Sequence, residues 1–259
     1  MNELLLGLTV PVIGTVLGAA CVYLIRDSFP PLANKIFMGF TAGVMIAAAV
    51  WSLMIPSMEM TGGTGLHKIF PAVTGFIAGV VFLLLMDFVI PHQHESDASS
   101  EGLPCQMTRT WKLVLAIILH NIPEGMAIGT AFAAVLEGNA YLSTTGALAL
   151  SIGISIQNFP EGAIVSLPLK DAGNSKNKAF LIGVFSAIVQ PAAAILTIML
   201  ASVVVPLMPF MLAFAAGAML YVVVEELIPT SAQGTHSNLG PIGFAVGFLL
   251  MIILDAALN

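Results

Sequence analysis

HNIPEG at residues 120–125 and QNFPEG at 157–162 decide how this chain is read. Each lies in the middle of a long apolar run, which sets His120, Glu124, Gln157 and Glu161 at membrane depth. A carboxylate at the bilayer centre costs at least ~2.5 kcal/mol, so such groups normally face a polar interior and serve a function. The second copy begins 37 residues after the first and repeats its Asn, Pro, Glu and Gly. A single Asn with a following Pro in a membrane helix is usually a kink with a satisfied amide, and a lone buried histidine is usually structural. Two copies with the glutamate at the same offset favour a shared site.

The surrounding composition fits that depth. Of 259 residues, 58% are apolar and 8% are charged, with a mean hydropathy of +0.99. Globular domains carry about 25% charged residues, so this is a polytopic membrane protein. The net charge of −6, with eight Lys and Arg in no patch, gives no footprint for nucleic acid. Cys21 lies in an apolar run and Cys105 in a polar loop, which argues against a disulfide framework. Glu3 stands where a signal peptide would be basic, so the first apolar run reads as a mature helix.

Hydropathy gives eight spans, at 4–25, 34–58, 69–91, 111–136, 143–168, 178–200, 207–228 and 240–258. Each is near the roughly 20 residues needed to cross the hydrocarbon. Turn-forming breaks such as TGGTGLHK and KDAGNSKN separate them. The expected fold is all-α: one transmembrane domain over 1–259, with Pro-kinked helices 4 and 5 at its core. A polar stretch, 92–110, reads as a mobile cytoplasmic loop. Arg26, Lys35, Arg109, Lys112, Lys170, Lys176 and Lys178 fall in the loops after spans one, three and five, and only Lys68 falls opposite. The positive-inside rule therefore puts both termini outside.

On a helix, positions i, i+1 and i+4 project to one side, so His120, Asn121 and Glu124 go together, as do Gln157, Asn158 and Glu161. Pro123 and Pro160 supply no N–H, which frees the carbonyls of Leu119 and Ile156 and predicts a kink in each helix. Gly125 and Gly162 let another backbone approach closely. Imidazole with carboxylate and amide oxygens suits a divalent transition metal. Two carboxylates so close repel unless a cation or proton lies between them. Antiparallel spans with matched Pro-interrupted motifs at the midplane resemble inverted-repeat transporters, although the repeat is visible only in these two spans.

Further acidic groups line up by depth. Glu59 and Asp255 end spans two and eight toward the outside. Asp87, Glu225 and Glu226 lie near the inner ends of spans three and seven, with His92 and His94 just beyond. Outer carboxylates, midplane ligands and inner carboxylates and imidazoles describe a cation path, against the alternative of interfacial snorkelling. Met45, mid-span in two, offers a thioether, although most such methionines are filler.

HNIPEG followed by QNFPEG, in the fourth and fifth of eight spans, closely resembles the ZIP (Zrt/Irt-like protein) metal transporters, with the GufA-like bacterial branch nearest. The likeness covers essentially the whole chain, including SLMIP at 52–56, PHQH at 91–94, EELIP at 225–229 and LDAAL at 254–258. The resemblance implies a carrier in the bacterial inner membrane that brings zinc, and iron, manganese or cadmium, into the cytoplasm by elevator-like or rocking alternating access. It implies a first metal on His120, Glu124, Gln157 and Glu161 with Met45 nearby. It implies a second on Asn121, Glu124, Asn158 and Glu161, completed by Gln190. Asn158 and Gln190 depart from relatives that are acidic there, so the second site is expected to be the weaker. The resemblance makes Glu59 and Asp255 an entrance, and Asp87, His92, His94, Glu225 and Glu226 a release route. Metal is then substrate and no cofactor is expected. The partners implied are divalent ions and lipid, with a homodimer as a family expectation.

A channel-like conductor is one rival and an intramembrane metalloenzyme another. The chain has no H-E-x-x-H string and only one histidine at membrane depth, which disfavours an enzyme. It has no phosphate-binding G-x-x-x-x-G-K-[ST] loop to couple ATP.

Overall fold

The computed structural model describes residues 2–25, 30–61, 65–89, 109–138 and 141–258. Eight helices there are long and apolar enough to cross a bilayer: α1 Asn2–Leu24, α2 Pro31–Met60, α3 Leu66–Val89, α4 Arg109–Leu136, α5 Thr144–Asp171, α6 Lys176–Met199, α7 Ala201–Ala232 and α8 Leu239–Leu258. Each coincides with one hydropathy span, and no strand occurs among the described residues. This is an all-α integral membrane protein. Arg26, His92, His94 and Cys105 lie outside the described residues, as does the 92–110 stretch up to residue 108.

Local chemistry sets the helix ends. Ser143 caps α5 by accepting from the Gly146 amide at 2.9 Å, and Ser175 caps α6 by accepting from Lys178 at 3.3 Å. Gly173, at φ 93°, closes α5 in a conformation that side chains resist, and Asn174 Nδ2 donates to the Leu169 carbonyl there at 2.8 Å.

The helices pack as two sets of four. In one set α1 lies along α5 and α6 along α4; in the other α2 lies along α8 and α7 along α3. Exchanging one with six, two with seven, three with eight and four with five maps each of these pairs onto another. The repeat visible in two spans of the sequence thus extends to the packing of all eight. Glycines permit the closest approaches. A Cβ on Gly125 would collide with the Gln190 carbonyl oxygen of α6, and one on Gly162 would collide with the Thr15 carbonyl oxygen of α1. The two motif glycines therefore do the same work in the two halves.

The motif prolines, where a kink is expected, lie inside α4 and α5. Both helices continue as α-helix through Pro123 and Pro160. Wide π turns occur in α2 at Ala48–Met54 and in α7 at Val223–Leu227, related by the same exchange. Each runs directly into an Ile-Pro step, Ile55-Pro56 and Ile228-Pro229. The proline removes a donor from the ladder just beyond the widened turn, and such π segments gather at functional sites.

The spans differ in how much they are enclosed. α2, α4 and α5 are the most buried, while α3 and α8 turn most of their surface outward. The motif helices therefore sit in the interior, where charge and amide groups must find partners from protein.

Candidate metal-transport site

Glu124 is fully buried, and both of its oxygens are held by amides from other helices. Gln157 Nε2 of α5 donates to Oε1 in a short hydrogen bond, and Gln190 Nε2 of α6 donates to Oε2 at 2.9 Å. Gln190 Oε1 in turn accepts from Asn158 Nδ2 at 2.9 Å, and the same Nδ2 donates to the Pro11 carbonyl of α1 at 3.3 Å. Asn121 Nδ2 donates to the Ser186 carbonyl of α6 at 3.2 Å. One polar network thus ties α1, α4, α5 and α6 together at mid-depth. Gln190 reaches it because α6 breaks at Ile188, just ahead of its second half, Val189–Met199.

The amide oxygens are less well provided. Asn121 Oδ1, Gln157 Oε1 and Asn158 Oδ1 are buried and find no hydrogen-bond partner among the described residues. Each unsatisfied buried acceptor costs about 1–3 kcal/mol. Acceptors in this state are what a desolvated cation satisfies.

His120 faces away from that network. Its Nδ1 lies 3.5 Å from Glu226 Oε2 of α7, an ion pair when the imidazole is protonated. His120, Glu161 and Glu226 line one small cavity together with Met38, Ile117, Ile164, Val222 and Leu227. Its volume of about 20 Å³ holds one water or one bare ion. The π segment of α7 separates its paired glutamates: Glu226 is buried against His120, while Glu225 is exposed. Met45 is buried in the apolar core, and it is Met38 that reaches this cavity from α2. Among the described residues no three His, Cys, Asp or Glu groups converge as a metal cluster. The reason is visible in the contacts: Glu124 is held by amides, and His120 is turned to Glu226.

Beyond this centre, Glu59 and Asp255 share an open cleft of about 560 Å³, with Trp51, Ser52, Tyr141 and Ser143 in its walls. Ser52, in the π segment of α2, donates to Asp255 Oδ1 at 3.0 Å. At the other end Tyr221 of α7 donates to Asp87 Oδ2 of α3. Buried Lys35 of α2 donates to the Thr235 carbonyl between α7 and α8 at 2.5 Å. The side-chain bonds between helices named so far stay within one four-helix set; the His120–Glu226 pair crosses between the sets.

Three contributors were not marked by the motifs. Met38 and Tyr221 carry no sequence signal beyond hydropathy. Ser52 stands in SLMIP, whose likeness to EELIP was a signal for the paired π segments.

Comparison with known proteins adds the family. Residues 90–255 match the family model described as ZIP Zinc transporter. The chain is 32% identical to human "Zinc transporter ZIP11", covering 95% of this chain and 94% of that one. It is 34% identical to "Zinc transporter ZIPB" of Bordetella bronchiseptica, over 86% of this chain and 71% of the relative. With "Zinc transporter GufA" of Myxococcus xanthus it shares 33% identity over 86% of each chain.

Proposed function

The chain belongs to the ZIP zinc transporter family, a family of transporters rather than enzymes, and on that premise we propose that it is an uptake carrier for divalent transition metals, zinc foremost. Metal enters at the Glu59–Asp255 cleft, is held at the midplane by His120, Glu124, Gln157 and Glu161, and leaves past Glu226 and Asp87 toward the cytoplasm. Both termini then lie outside, as the Lys and Arg distribution requires.

The observation that carries this reading is the buried set of amide oxygens without partners beside a buried carboxylate, on two matched motifs. Before metal arrives, the donors of Gln157 and Gln190 substitute for the cation on Glu124. When it arrives, Gln157 turns its amide so that Oε1 faces the ion, and His120 exchanges Glu226 for the metal. Carboxylate oxygen, amide oxygen and imidazole together give a borderline-hard site that accommodates zinc without excluding its neighbours in the first transition row.

Packing supports alternating access. α1, α4, α5 and α6 form one body that carries the site, and α2, α3, α7 and α8 form the other. Relative sliding of two packed bodies is an established kind of transition. If the metal takes His120 Nδ1, the nitrogen that now faces Glu226, loading the site loosens a contact between the bodies. Binding and movement are thereby linked, as a carrier needs and a pore does not.

Radiolabelled zinc uptake into proteoliposomes tests the reading, comparing the native chain with His120→Ala and Glu124→Ala. Saturable uptake lost in both variants is expected. Uptake unchanged in both would overturn the midplane site, and uptake linear in zinc concentration would indicate a conductor.

A further inference from the structure

We infer that this carrier holds one metal ion at its midplane, and that Gln190 is the positioning residue that makes it so by donating to the Glu124 oxygen a second ion would need. The inference rests on the transport site proposed above and fixes its stoichiometry.

The direction of the hydrogen bonds carries it. The Pro11 carbonyl is an acceptor only and cannot reverse, so the amide facing it from Asn158 presents its NH₂ group. That same NH₂ also serves Gln190 Oε1 at 2.9 Å. With its oxygen taken, Gln190 presents N–H to Glu124, and Nε2 lies 2.9 Å from Oε2. All three polar side chains are at most 1% exposed, so no water competes for these bonds. The polarity is thus set from α1, passed through α5 and α6, and ends as a donor on the α4 carboxylate.

A second cation beside Glu124 needs an oxygen where that N–H now points. Turning the Gln190 amide sets its NH₂ against the NH₂ of Asn158, so Asn158 has to turn as well. Asn158 then presents its oxygen to the Pro11 carbonyl, acceptor against acceptor. Two buried amides must reverse together and still leave a mismatch. Gln157 is differently placed: its Oε1 finds no partner among the described residues, so its reversal breaks no other hydrogen bond. One ion is therefore admitted on the Gln157 side and a second is refused on the Gln190 side.

A carboxylate at position 190 would change this without changing size. The substitution Gln190→Glu keeps an acceptor for the bond from Asn158 and turns a second anionic oxygen toward Glu124. Two facing carboxylates call for a cation or a proton between them, and zinc in excess takes that place.

The test counts ions. Purified native protein and Gln190→Glu are equilibrated with zinc, freed of excess metal and assayed by mass spectrometry for zinc per chain, with uptake kinetics measured in proteoliposomes. The expected result is one zinc in the native carrier and two in Gln190→Glu. Turnover in the variant should fall by about tenfold with a lower KM, since a more tightly held ion leaves more slowly. Two zinc ions in the native protein would overturn the inference, as would a folded Gln190→Glu carrier that still binds one ion with native kinetics. The native count stands by itself even where the variant does not fold, and Asn158→Asp provides a second route to the extra charge. Failure of the underlying site looks different: no zinc on the native chain, or the ion retained in a His120→Ala/Glu161→Ala double variant.

Discussion

Glu124 and Glu161 hold the same place in two copies of one motif, yet their surroundings have little in common. Glu124 is enclosed, with an amide on each oxygen. Glu161 lines a small cavity shared with His120 and Glu226. The difference comes from what packs across the adjacent glycine. Beside Gly125, α6 offers Gln190, long enough to reach a carboxylate. Beside Gly162, α1 offers Thr15, whose buried hydroxyl finds no partner among the described residues. Repetition of sequence repeats the backbone fit, but the chemistry of each copy is set by its neighbours. One carboxylate is held by protein donors, and the other faces a small cavity.

The comparison can be broken first at the point where the halves agree. Gly125→Leu and Gly162→Leu each drive a side chain into a backbone carbonyl, so both should abolish folded protein, seen as loss of a monodisperse peak in detergent. Survival of either variant would show that its half is not held by that contact. The next largest effect separates the glutamates. Glu124→Leu strands the donors of Gln157 and Gln190, at about 1–3 kcal/mol for each group left unpaired. Glu161→Leu strands neither. The metal-free Tm should therefore fall clearly in the first and little in the second, although both should lose uptake. Equal Tm values would remove the distinction drawn here.

Two smaller effects sharpen it. Glu226→Gln weakens the bond from His120 across the two bodies, and zinc uptake should show a several-fold change in KM with little loss of Tm. Ser52→Ala removes one hydrogen bond to Asp255 in an open cleft, worth about 0.5–1.5 kcal/mol. Its KM for zinc should move by only a few-fold, in proteoliposomes at low zinc.

Much of this was legible in the chain. Eight apolar runs gave the eight helices because, in a bilayer, length and hydropathy decide which segments span. The two motifs marked their own helices because ionisable groups are rare at that depth. What hydropathy could not show were partners far apart in sequence. His120 meets Glu226 across more than a hundred residues, and nothing local to either identifies the other. Gln190 was indicated only by family resemblance; its donor role depends on the polarity imposed by the carbonyl of Pro11, a backbone group of α1. The prolines of the motifs marked α4 and α5 and gave no sign of the π turns in other helices. The wide turns lie in α2 and α7, where SLMIP and EELIP put Ile-Pro steps in paired positions.

The most direct measurement is the location of the metal itself, by anomalous diffraction from crystals of the protein soaked in cadmium. The account predicts a peak at mid-depth within coordination distance of Glu124 and Glu161, with His120 turned from Glu226 to face it. A well-occupied peak confined to the Glu59–Asp255 cleft, with His120 still paired to Glu226, would contradict it.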